Sequence, residues 1–389
     1  VKRGDRVTVT IAAACMAALF LFPFMSIRAT RLSPAEGLSL LSSLGPAGSS
    51  LLLGLLLALL ASGIGFLPTG RQVMSTAVIS VGLAFLVFWF SGSSAANLVS
   101  GSPFARVSLS SGAWVLLVGS FVLFRTALLR LSRGSPERIF AALLPLVLLV
   151  PFLAGKLDSL SFMVEFANRS GRFMLELRRH VALSFVSVVT GAVLGIPLGY
   201  ASTRSRAVKG PAFAVAGTLQ TFPSLALFGL LIVPLAWAAK RFSFLQALGV
   251  GGIGWAPAYI ALSLYSLLPI VQNTFAGFDS LLPEVLDAAN GMGMSRRQRL
   301  FRVEVPLAAP IVLGGVRVAS VQALGNTAVA ALIGAGGLGT FIFQGLGEAA
   351  PDLILLGALP ILLMAVLLDG FLDVLVRFFT PHGIREEAG

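Results

Sequence analysis

Charge is scarce in this chain: only 11% of its residues are Asp, Glu, Lys or Arg, against about 25% in soluble domains. So few charges cannot cover a water-facing surface, and the mean hydropathy of +0.93 places most of the chain in lipid. Cysteine is limited to Cys15, which excludes an intramolecular disulfide and a Cys-based metal site. Histidine is limited to His180 and His382, so no HExxH pair exists, and no GxSxG elbow occurs. An intramembrane enzyme would therefore lack its reacting groups, and neither a catalytic residue nor a metal site is expected. No P-loop lysine pattern is present, so this chain is not expected to hydrolyse nucleotide. Carboxylates are also rare in the apolar runs. Of 16 acidic residues, only Asp369 and Asp373 fall within one, which speaks against an ion-coupled secondary transporter.

What is abundant is apolar length. Ten runs are candidate membrane spans: 7–24, 38–67, 73–90, 112–131, 139–153, 181–200, 212–237, 253–275, 306–333 and 353–376. Most can cover a hydrocarbon core of roughly 30 Å. The expected fold class is an all-α polytopic membrane protein with about ten transmembrane helices. The net charge of +12 sits in short loops with no aromatic–basic platform, so it reads as a topology signal rather than a nucleic-acid surface. With both termini in the cytoplasm, the larger share of the 28 Lys and Arg falls on the inner side, as the positive-inside rule requires. The basic Lys2, Arg3 and Arg6 before an apolar run mimic a signal peptide, but the many spans that follow favour a retained first helix.

The chain divides near residue 155. Residues 1–155 hold five spans that carry no recognisable chemistry. Residues 156–180 form an outer segment mixing Glu165, Arg169, Arg172, Glu176, Arg178 and Arg179 with Phe and Leu, either an interfacial helix or a solvated linker. Residues 181–376 form a second five-span block, and 377–389 a cytoplasmic tail.

The loop at 279–305 stands apart, being long and too polar to span. Pro283 suits a first helical turn, with Glu284 and Asp287 near its positive end. Gly291 and Gly293 stop that helix, and Ser295 caps a second one whose Arg296, Arg297 and Arg299 face solvent or headgroups. A short helix–turn–helix between two spans is shaped to enter a groove in a partner.

This loop resembles the conserved loop of binding-protein-dependent ABC importer permeases: an acidic residue and two alanines, then three residues, a glycine, nine residues, and aliphatic–any–aliphatic–proline. Asp287, Ala288, Ala289, Gly293, Val303, Val305 and Pro306 keep every spacing, with Asp in place of the usual Glu. Three further stretches look like the glycine betaine/choline/carnitine branch: 220–227 (QTFPSLAL), 261–271 (ALSLYSLLPIV) and 333–339 (IGAGGLG). The added N-terminal spans are similar to the longer osmoprotectant permeases of that branch. The resemblance covers about residues 180–376. It implies a type I ABC importer permease (MetI-like) core in the bacterial cytoplasmic membrane. It also implies cytoplasmic ATPase subunits that carry ATP and Mg, an external solute-binding protein, and a second permease subunit, identical or related. No cofactor is expected on this chain. The solute it implies is a small osmoprotectant such as glycine betaine or a related quaternary amine; the alternative is another small solute of amino-acid type.

Polar residues inside the spans are few enough to name. Gln220, Ser224, Gln322, Asn326 and Thr327 either line a translocation path or hydrogen-bond between helices. Arg317 lies roughly 16 Å along a helix from Pro306. An arginine at that depth needs a partner. Either it pairs with Asp369 on the last span, or it snorkels while Asp369 and Asp373 pair with Arg377. The strings 249–254 and 334–339 both satisfy G-x-G-x-x-G, but without a βαβ unit they read as close-packing or broken-helix segments.

Overall fold

The structure, a computed structural model, describes residues 5–30, 33–64, 69–99, 104–131 and 136–380. Lys2, Arg3, the end of the expected second span, His382 and the expected tail beyond Thr380 lie outside these. Among the described residues, nine helical stretches are long and apolar enough to cross a membrane, the interrupted run Pro136–Leu153 among them. Of the expected first span, 7–24, the helix found is Arg6–Leu21, apolar, but its 16 residues extend only about 24 Å. The chain divides into two units, Val1–Asn168 and Arg169–Gly389, thirteen residues beyond the expected boundary near 155.

In the first unit, helix α1 (Arg6–Leu21) is capped by Asp5, whose carboxylate accepts from the Val7 amide at 3.1 Å and the Thr8 hydroxyl at 2.5 Å. Arg130, at the end of α4 (Ser111–Arg130), pairs with the same carboxylate. Burial alone would raise the Asp5 pKa; the hydrogen bonds from Arg130 and Thr8 outweigh it and hold the carboxyl below its ordinary range. Helices α2 (Leu40–Ile64) and α3 (Thr69–Val99) complete the bundle. Its core is Leu52, Leu56, Leu59, Leu83, Val87, Leu116 and Leu123. Pro46 kinks α2, and the Ser49 hydroxyl donates to the Gly45 and Leu40 carbonyls beside the kink, at 2.7 and 3.2 Å.

A three-stranded antiparallel sheet, absent from the sequence reading, lies among these helices. Strands β1 (Met25–Arg28), β2 (Glu36–Leu38) and β3 (Arg106–Leu109) run in the order β2-β1-β3. Met25 pairs with both Leu38 and Leu109. The expected fifth span is three pieces: α5 (Pro136–Leu143), a 3-10 turn (Leu144–Leu148) and α6 (Leu149–Leu153). Pro145 and Pro151 remove the amides a continuous helix needs.

The outer segment 156–180 is largely helical: a short α7 (Ser161–Asn168) precedes α8 (Ser170–Arg204), a single 35-residue helix that includes the expected sixth span. Phe173, Glu176, His180, Ser184, Ser187 and Gly191 recur at spacings of three and four and are buried along one face of α8, so this polar-looking stretch is a packed helix face.

The expected span 212–237 is two helices, α9 (Arg206–Thr221) and α10 (Ser224–Arg241). Pro223 forces Phe222 into an extended conformation between them. A short α11 (Ser243–Ala247) leads to α12 (Trp255–Asp279). Residues 280–304 form an elbow that holds α13 (Pro283–Gly291) and α14 (Arg296–Arg299), and after it come α15 (Val305–Ala330), α16 (Gly339–Gly347) and α17 (Pro351–Phe379).

Helix α12 is the centre of the second unit, with 14 of its 25 residues buried. Small residues let α8 approach it: a methyl at Gly191 would lie 2.6 Å from the Ser266 Cβ, and one at Gly199 2.6 Å from the Thr274 Cβ. Gly315 of α15 sits as closely on Asn273. The tightest approach is Gly339, where a Cβ would fall 1.9 Å from the Ala328 carbonyl oxygen. Because that atom is backbone, no rotamer change relieves the overlap. Gly339→Ala should cost about 1–3 kcal/mol and lower the thermal midpoint of the purified protein. Gly217→Ala, with open space around the site, should not.

Candidate functional site

The elbow between α12 and α15 builds from local rules. Leu282 is extended and Pro283 opens α13 (Pro283–Gly291), with Glu284 in its first turn. The helix ends in a Schellman turn: the Met294 amide donates to the Ala289 carbonyl at 3.3 Å, and the Gly293 amide to Asn290 at 2.9 Å. Gly293 has φ +76°, the left-handed conformation that turn demands. Ser295 then forms a capping box with Gln298 and starts α14 (Arg296–Arg299), a single turn. A π-helical turn (Leu300–Glu304) connects it directly to α15.

The predicted elbow residues take distinct places. Asp287, Ala288, Gly293, Glu284 and Pro306 are exposed, Val305 is 37% exposed, Val303 is half-buried, and Ala289 is buried as the internal contact. Leu282 and Met292 expose more than three-fifths of their surface at either end of α13. Arg296 and Arg297 are exposed as expected. Arg299 is not: it donates from Nε to Glu304 at 2.8 Å and from Nη1 to the Asn290 side chain at 2.9 Å.

The candidate path residues are not equivalent. Gln220 donates to the Tyr265 carbonyl at 3.2 Å, and the Tyr265 hydroxyl donates to the Phe222 carbonyl at 2.7 Å. The carbonyl at the α9–α10 break is thus satisfied by a side chain, as a break at membrane depth requires. Ser224 is half-buried at the start of α10. Gln322 is exposed and Asn326 half-buried on α15. Thr327 is fully buried, its hydroxyl held by the Ser184 hydroxyl at 2.8 Å and the Ala323 carbonyl at 2.7 Å. That places Thr327 in the seam between α8 and α15 rather than on an open face.

Arg317 donates from Nε and Nη2 to the two oxygens of Asp369, at 2.6 and 2.7 Å, and from Nη1 to Asp373 at 2.7 Å. Arg377 pairs with Asp373 at 2.5 Å. Arg317 is thus paired with Asp369 and does not snorkel, and of the other arrangement only the Asp373–Arg377 contact is present; the four residues form one charge-neutral cluster joining α15 to α17.

Two buried polar sites have partners that the sequence does not disclose, the first holding both Glu176 and His180. On α8, Glu176 accepts from the Gly337 amide at 2.7 Å. His180 accepts from the Leu338 amide at Nδ1, at 3.3 Å, which assigns the proton to Nε2, 3.1 Å from the Leu324 carbonyl. The two glycine strings touch here, the Gly254 amide donating to the Ile333 carbonyl at 2.8 Å. They form a helix-breaking junction. The other site is Glu304, which lies at the unspecified position of the loop pattern.

Residues 191–382 match the family "Binding-protein-dependent transport system inner membrane component". Residues 5–163 match the N-terminal domain of the ABC transporter permease YehY. The osmoprotectant import permease protein OsmW of Salmonella typhimurium is 40% identical over 229 residues, covering 59% of this chain and 100% of that protein. The choline transport system permease protein OpuBB of Bacillus subtilis is 34% identical over 218 residues, covering 56% of this chain and 93% of that protein. An inward-facing structure of the MetNI methionine ABC transporter aligns with a TM-score of 0.46 and 20% identity, over 54% of this chain and 96% of that one.

Proposed function

The chain belongs to the family of binding-protein-dependent transport system inner membrane components, and from that premise we propose that it imports a small osmoprotectant of the glycine betaine, choline or carnitine class. It is a multi-pass transport permease of the ABC importer type and not an enzyme. ATP and Mg are bound by separate cytoplasmic ATPase subunits. An external binding protein delivers the solute, and a second permease subunit completes the path in the cytoplasmic membrane. Both termini and the elbow lie on the cytoplasmic side.

The observation that carries this reading is the elbow. The exposed Glu284, Asp287 and Ala288 stand on a short helix flanked by exposed Leu282 and Met292, a shape that fits a groove on the ATPase. The Schellman stop and the capping box make it stiff, so a push on α13 passes to the spans on either side instead of being absorbed in a floppy loop. Movement of α12 and α15 then alternates access to the path. The solute class is supported by the relatives that carry osmoprotectant and choline in their names.

The test is uptake by proteoliposomes holding this chain and its ATPase, with the binding protein outside. Labelled glycine betaine or choline should accumulate only when ATP is enclosed with the ATPase. Uptake of equal size without ATPase would sink the importer reading. ATP-driven uptake of an amino acid with none of betaine, choline or carnitine would sink the solute assignment alone.

A further inference from the structure

We propose that Glu304 is the positioning residue that fastens the elbow to the moving spans; this rests on the importer reading above. The Glu304 side chain is 2% exposed, yet it carries two arginines. Arg204, from the last turn of α8, donates to Oε2 at 2.6 Å, and Arg299 of α14 donates to Oε1 at 2.8 Å. Arg299 also holds the Asn290 side chain of α13 at 2.9 Å. The Arg204 guanidinium stacks 5.3 Å from the Tyr200 ring, and Tyr200 packs edge-on against Phe278 in the last turn of α12, with centroids 4.9 Å apart. One buried carboxylate therefore ties the elbow helix to α8, α12 and α15.

The π turn makes the arrangement possible. In a continuous α-helix, residues five apart lie about 140° from one another around the axis and cannot face each other. Here the Val305 amide donates to the Leu300 carbonyl, the five-residue spacing of a π turn. The widened turn brings Arg299 beneath Glu304. Such turns cost helix geometry and recur where function requires them.

A buried carboxylate with two cationic partners is a poor source of stability compared with an apolar side chain of the same size. Its geometry instead suits a rigid joint with no slack between α13 and the spans. Displacement of α13 by the ATPase is passed through Arg299 and Glu304 to Arg204 and so to α8, while α15 continues from Glu304 itself.

The test uses the full complex in liposomes and measures solute taken up per ATP hydrolysed. Glu304→Gln keeps the shape and removes the charge. It should lower that ratio at least about tenfold, with the ATPase still co-purifying and ATP hydrolysis changed less than about twofold. Arg204→Gln, whose parent side chain is 46% exposed, cuts only the tether to α8 and should lower the ratio about threefold. A wild-type ratio in Arg204→Gln, or uptake and hydrolysis falling together in both variants, overturns the proposal. If Glu304→Gln does not assemble, Arg204→Gln decides alone. Absence of ATP-driven uptake by the wild-type complex is a different result, and it sinks the importer reading instead.

Discussion

Placing aspartate at Gly293 should reduce ATP-driven uptake at least about tenfold, the equivalent of roughly 1.4 kcal/mol, while membrane insertion stays intact. The reason is electrostatic, not steric. Nothing lies within 4 Å of a Cβ at this position, and although its φ of +76° is left-handed, aspartate and asparagine enter that region more readily than an ordinary L-residue, for which it costs roughly 1–2 kcal/mol. The new charge falls on the exposed face that carries Asp287. Two companions separate the contributions. Gly293→Asn, whose side chain tolerates the left-handed region without charge, should stay close to wild type, and Gly293→Ala should fall between. Wild-type uptake in the aspartate variant would remove the elbow from the mechanism.

The second large effect is expected at Arg317. Arg317→Gln leaves Asp369 and Asp373 at membrane depth with Arg377 as the remaining cation of the cluster. A charge at the bilayer centre costs roughly 2.5–3.5 kcal/mol on insertion scales. Arg317, Asp369 and Asp373 are 29–40% exposed, so neighbouring helices cover them only in part and the pairing itself must offset most of that cost. A severalfold loss of folded protein in the membrane should follow, read by expression and by thermal unfolding in detergent. Arg317→Gln combined with Asp369→Asn should recover most of it. The reciprocal swap, Arg317→Asp with Asp369→Arg, should recover less, because the new aspartate would face Asp373. Unchanged yield in Arg317→Gln would mean that the cluster does not hold α15 to α17.

What could be read from the residues alone followed the range of the interactions. The elbow was legible because its signals are local: Pro283 opens a helix, Gly293 closes it and Ser295 caps the next. The pairing of Arg317 with Asp369 was legible as one of two options because an isolated charge in lipid forces a search for a partner. The length of the expected span 212–237 and Pro223 within it pointed to a kink, but averaging apolar content across two short helices concealed a full break at Phe222–Pro223. The first eleven residues of α8 look like a surface segment because Glu176 and His180 are polar, and only the amides of Gly337 and Leu338, far along the chain, account for their burial. The sheet escaped notice because its strands are three or four residues long. Glu304 escaped because its partners lie five and one hundred residues away, and neither spacing belongs to an α-helical face.

The most direct check on the mechanism is where the elbow points and what it touches. The Cys15 side chain is buried, so one new cysteine, Glu284→Cys, can report alone. In the assembled complex it should cross-link to the ATPase and react with an impermeant thiol reagent only from the side of the membrane where ATP is hydrolysed. Labelling from the opposite side, or full uptake with position 284 never within cross-linking reach of the ATPase, would contradict the account.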